Sequence, residues 1–142
     1  MSDVLEELAA KQAITEVLHR YCYAVDRIDP ELGSTIWHPG GLAHYEGVFD
    51  GTGEGFMEWV LDSMSRTEAR SHLLTNVLIE VDGDRATSDS CIYALRRMDG
   101  NDVVTFGHFS DTWSRRDGAW RIDERRYKRD ALQTTPTDGN AL

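Results

Sequence analysis

Apolar residues recur at helical spacing early in the chain and at strand spacing through its second half. Leu5, Leu8, Ile14, Val17, Leu18, Tyr21 and Val25 predict one helix running to about Arg27, opened by Asp3 with Glu6 three residues on, as in a capping box. Asp29-Pro30 ends it, and Pro30 suits the first turn of a second, short helix ending near Trp37. Pro39-Gly40-Gly41 reads as a turn, Leu42 to Tyr45 as a short strand and Gly47 to Gly55 as a loop. Phe56, Trp59, Val60 and Met64 predict a third, amphipathic helix ending near Arg66.

Three Asp-Gly pairs then follow, at Asp82-Gly83, Asp99-Gly100 and Asp117-Gly118, and such pairs supply the positive φ angles of tight hairpins. Between them lie runs rich in β-branched and aromatic residues, about 71–81, 85–98, 102–115 and 119–129, which predict an antiparallel meander of four long strands. The expected class is α+β: a curved sheet that covers one apolar face with the preceding helices and encloses a pocket between them. Residues 1–133 read as one domain, and 134–142 as a polar, flexible tail.

Composition narrows the partners. At 40% hydrophobic residues, with four Trp, five Tyr and four Phe, the chain can fill a core. A net charge of −10 disfavours nucleic-acid backbones and anionic membranes. The Arg-Arg pairs at 96/97, 115/116 and 125/126 sit among acids and read for the most part as solvated strand ends. Two cysteines, Cys22 and Cys91, suggest a reduced compartment, and the acidic start is unlike a signal peptide, so a cytoplasmic location is expected.

Asp26 falls in the last turn of the first helix, where a carboxylate meets the negative end of the macrodipole at a cost of about 0.3–1 kcal/mol. Either the helix end is frayed, with Asp26 paired to Arg27, or the carboxylate has another partner. His72 opens the first long strand, on a face continuing through Leu74, Asn76 and Leu78; it is either a hydrogen-bonded strand-end histidine or a functional one. His108 lies on a face with Phe106, Ser110 and Thr112 and either lines the same cavity or is packed. No His-Glu-x-x-His, zinc-spaced cysteine pair, dinucleotide fingerprint or Gly-x-Ser-x-Gly is present.

The element order, Tyr21-Cys22-Tyr23-Ala24-Val25-Asp26, Ser71-His72-Leu73-Leu74-Thr75-Asn76 and the ending Asp117-Gly118-Ala119-Trp120-Arg121-Ile122 resemble the nuclear transport factor 2-like (SnoaL-like) superfamily over about residues 5–130. The motifs look most like its scytalone dehydratase, bile acid 7α-dehydratase and lindane dehydrochlorinase group. The resemblance implies a cone-shaped, cystatin-like roll and a cofactor-independent elimination on a cyclic hydrophobic molecule. It places an Asp–His dyad on Asp26 and His72, a helix tyrosine on Tyr21, a strand tyrosine on Tyr45 and a late Tyr-x-Arg on Tyr127-Lys128-Arg129. The chain departs from the pattern near Arg96, where scytalone dehydratase carries a His and the bile acid enzyme an Asp.

In that chemistry a neutral His72 takes the C–H proton, Asp26 fixes its tautomer, and Tyr21 or Tyr45 donates to an oxygen of the substrate. An inward-pointing Arg129 would bind a carboxylate or enolate oxygen. Trp37, Phe49, Phe56 and Trp59 are candidate pocket walls or core, and His108 and Arg96 complete the candidate binding set. A ketosteroid-isomerase-like or cyclase-like enzyme and a non-catalytic ligand-binding protein are the alternatives on this scaffold. Self-association as a dimer or trimer is expected through the convex sheet face, to which Phe109 and Trp113 are assigned.

Overall fold

The computed structural model describes residues 3–137. Helix α1 spans Asp3–Arg27 and buries Ile14, Val17, Leu18, Tyr21 and Val25 along one stripe. Ile14 and Leu18 are fully buried; side chains of this size contribute about 1.5–3 kcal/mol each relative to exposure. Asp29 caps α2 by accepting from the Leu32 N–H at 3.0 Å, but α2 is a single turn, Pro30–Gly33. The chain expected to stay helical to Trp37 instead enters strand β1, Trp37–Tyr45, which absorbs Pro39-Gly40-Gly41 as an irregularity within the strand. The segment expected as a loop holds strand β2, Phe49–Thr52. Thr52 then caps α3, Gly53–Met64, its Oγ1 accepting from Gly55 N–H at 3.0 Å, so the helix starts before Phe56. Gly53 is required there, since a Cβ would lie 2.1 Å from Trp37 Cγ.

The meander follows as β3 (Ala69–Asp82), β4 (Arg85–Met98), β5 (Asn101–Arg116) and β6 (Ala119–Pro136). Asp99-Gly100 and Asp117-Gly118 all have positive φ, as a type I′ turn demands, while at the first hairpin Gly83 alone supplies it. β6 runs seven residues past Arg129, because Thr134–Pro136 pair with Asn101–Val103; residues 138–142 of the expected tail lie outside the described residues. The sheet order is β2-β1-β6-β5-β4-β3. β1 joins β6 in parallel, so the six-stranded sheet is mixed rather than wholly antiparallel, and it does not close.

Three register shifts bend this sheet around α1 and α3. One lies in β3 between Thr75 and Leu78, at Asn76 (φ 55°); two lie in β6, at Asp123 and Asp130. A bulge moves later side chains to the opposite face. Thus His72 and Leu74 point inward, but Leu78 is 73% exposed and Val77, Ile79 and Val81 take over the inner face, contrary to the even-numbered face expected from alternation. Phe109 and Trp113 are both 1% exposed and face the helices, not the convex side assigned to them; Phe106 and His108 face outward. No helix among the described residues is long and apolar enough to cross a membrane.

Candidate functional site

α1 ends one residue past Asp26. Ile28 adopts a left-handed conformation (φ 53°), and Asp29 N–H donates back to the Ala24 carbonyl at 2.9 Å, which closes the helix. Arg70 of β3 donates through Nε to the Asp26 carbonyl at 2.9 Å, placing a cation at the negative helix end. The Asp26 side chain crosses to β3. Its Oδ2 accepts the His72 backbone N–H at 3.0 Å, and its Oδ1 lies 2.7 Å from His72 Nδ1. Arg27 takes no part, and its guanidinium lies over Tyr23 instead. An ionised carboxylate only accepts, so Nδ1 carries the proton of a neutral His72 and Nε2 keeps its lone pair.

The His72 side chain is 8% exposed and lines a partly open cavity of about 130 Å3 on the inner side of the sheet. Asp26 does not line it; the imidazole separates the carboxylate from the cavity. Tyr21 of α1 and Tyr45 of β1 also line the cavity, and the Tyr45 hydroxyl donates to the Tyr21 hydroxyl at 3.2 Å. Tyr45 stacks on Phe56 with ring centroids 3.9 Å apart. Burial pushes the Tyr45 hydroxyl up to about 12 and raises Tyr21 well above the ordinary tyrosine value, so both are donors at neutral pH. Burial likewise raises Tyr127, which borders the cavity beside Arg96 and Arg129. Among the described residues no Asp or Glu lines this cavity, and no group of three or more His, Cys, Asp or Glu is placed to hold a metal.

Phe56 and Trp59 form part of the cavity wall. Trp37 and Phe49 do not. Trp37 packs edge-on against Tyr21 and faces a separate groove between α2 and α3, whereas Phe49 packs edge-on against Phe56 and tilted against Trp59 and borders a cleft on the outer side of the sheet. His108 borders that outer cleft too and pairs with Asp130; its position beside Phe109 in an alternating strand places it opposite the cavity.

Arg125, read from the sequence as a solvated strand end, is fully buried. It pairs through Nε and Nη2 with both oxygens of Asp111 at 2.8 Å, and its guanidinium lies 3.7 Å from the Phe109 ring centroid and 4.7 Å from that of Tyr21. Burial alone would favour the neutral form, but Asp111 together with Tyr45 and Tyr21 more than offsets it and holds the guanidinium charged beneath the tyrosine pair. Strand alternation from Trp120 and Ile122 puts residue 125 outside; the bulge at Asp123 brings it in. The sequence contains no local signal for that bulge.

The helices, the bent mixed sheet and a pocket lined by a histidine and three tyrosines define a cone-shaped α+β scaffold. The chain belongs to the SnoaL-like domain family, which matches residues 6–126. It is similar in structure to the hexachlorocyclohexane dehydrochlorinase LinA-type3 from Novosphingobium barchaimii LL02 (22% identity, TM-score 0.84, covering 99% of this chain and 98% of that one). It is also similar to a candidate scytalone dehydratase from Novosphingobium aromaticivorans DSM 12444 (23%, 0.79, 96% and 97%). A third likeness is to a Mycobacterium tuberculosis protein of unknown function (28%, 0.80, 93% and 78%). No curated protein matches the chain significantly.

Proposed function

We propose that this protein is a cofactor-independent lyase that removes water or halide from a cyclic, mostly apolar small molecule. One observation carries the reading: His72 stands between the Asp26 carboxylate and the cavity, with Nδ1 held by the carboxylate and Nε2 left without a protein partner among the described residues. That arrangement suits a general base. Nε2 takes a proton from carbon, the C–H electron pair becomes the new C=C bond, and the leaving group departs with its own bonding pair. Asp26 stabilises the imidazolium that forms. Tyr21, whose oxygen already accepts from Tyr45, has its own O–H free to donate to an oxygen of the substrate or to the leaving group. The absence of a lining carboxylate among the described residues disfavours the isomerase-like alternative, which needs a carboxylate base in the cavity. The volume, close to that of a cavity that accepts benzene, suits a single ring.

The test is absorbance of a new conjugated double bond from single-ring β-hydroxyketones and chlorinated cyclohexanes, with wild type beside His72→Ala. Product from wild type and none above background from the variant is expected. Equal rates from both, or saturable binding by wild type with no product, would remove the lyase reading.

A further inference from the structure

The charges around the cavity do not balance. Arg96 of β4 and Arg129 of β6 both line it, yet neither has a hydrogen-bond or ion-pair partner among the described residues. Elsewhere in the chain Arg97, Arg115, Arg116, Arg125 and Arg126 each hold a carboxylate. With 25 acidic residues against 15 Lys and Arg, partners are not scarce. The Nε atom of Arg96 is buried and has no acceptor, a state that is unfavourable when nothing compensates it. Burial lowers the Arg96 pKa, Tyr127 offsets part of that, and the like charge of Arg129 adds the smallest contribution, again downward. Two guanidinium groups that line one pocket without protein acceptors match the planar, two-oxygen face of a carboxylate. The same cavity presents Phe56, Trp59 and Phe109 as apolar wall and His72 as its base.

We infer that the cavity takes a single-ring monocarboxylate, its ring against Phe56, Trp59 and Phe109 and its carboxylate between Arg96 and Arg129. That this acid is the substrate rests on the lyase reading above; that it binds does not. The carboxylate anchors one end of the ring and leaves the opposite end for His72.

Calorimetric titration in low-chloride buffer tests the inference, with cyclohexanecarboxylate, cyclohexanecarboxamide and acetate against wild type, Arg96→Gln, Arg129→Gln and His72→Ala. Wild type is expected to hold the ring acid at least about tenfold more tightly than the amide, as charge-assisted hydrogen bonds imply. Each arginine variant should bring that ratio close to unity, and His72→Ala should keep it. Arg129 is exposed, so its variant carries the test even where Arg96→Gln folds poorly. Equal binding of acid and amide, acetate binding as tightly as the ring acid, a preference that survives both arginine substitutions, or no saturable binding of the ring acid at millimolar concentration would each overturn it. A carboxylate preference that persists in a wild type without turnover would instead remove only the lyase reading.

Discussion

His72 meets Asp26 twice, through its ring Nδ1 and through its own backbone N–H, so one carboxylate sets both where β3 lies against α1 and which way the imidazole faces. Replacing the carboxylate therefore separates chemistry from packing. Asp26→Asn keeps the side-chain shape and an acceptor but loses the charge that stabilises the imidazolium. Elimination should fall about 10²–10⁴-fold, while thermal stability changes little. Asp26→Ala leaves two donors unpaired and should cost about 1–3 kcal/mol as well. Parallel kinetics and urea titrations of both variants check this.

The two tyrosines are ranked by their positions. Tyr21→Phe removes the hydroxyl that can donate to the reacting molecule and should lower kcat about 10²-fold. Tyr45→Phe removes a donor that acts through Tyr21 and should have a smaller effect on kcat. A larger loss from Tyr45→Phe, measured on the same substrate, would reverse the assignment.

The Arg125–Asp111 pair is fully buried on both sides, so removing one partner strands the other. Arg125→Met should destabilise by about 3–5 kcal/mol, and the double variant Arg125→Met, Asp111→Leu should recover most of that loss. Urea unfolding of the two proteins decides it.

Alkaline conditions should weaken the fold in two stages. Burial pushes the Cys22 thiol and the Tyr45 hydroxyl up to about 12 each, whereas in the unfolded chain they ionise near about 8.5 and 10. Each group is still protonated in the folded protein when the unfolded chain has lost that proton. The associated stability is complete below the unfolded pKa and is lost as pH rises toward the folded one. Melting temperature should fall from about pH 9 and more steeply above about pH 10. Cys22→Ala should remove the first stage, and Tyr45→Phe should reduce the second, to which Tyr21 and Tyr127 also contribute.

Much of this arrangement is legible in the sequence because it depends on local chemistry. The Asp-Gly pairs at 99–100 and 117–118 lie in I′ turns whose φ angles those residues favour, and the apolar stripe of α1 faces the core. Asp26 at a helix end, where its charge is unfavourable, marks a side chain with a partner elsewhere in the chain. Features set by distant pairing were not legible. Trp37 leaves the helix for a strand only because Ile122 is there to pair with it. Arg125 and Leu78 change faces through bulges that no neighbouring residue announces, whereas Phe109 and Trp113 alternate regularly along β5 and owe their inward side to where the helices dock. His108, Trp37 and Phe49 share the aromatic or titratable character of pocket residues, but strand alternation and the packing of α3 take them away from His72.

The position of β6 sets the order of assembly. It follows every other described strand in the chain, yet it lies inside the sheet, between β1 and β5, and it carries Arg125, Tyr127 and Arg129. A nascent chain that has emerged only as far as β5 has no strand to join its first hairpin to its meander. The pocket's two halves remain unconnected until the ribosome has released residues beyond 120. Such long-range closure slows folding and exposes two open sheet edges to other chains while the protein waits.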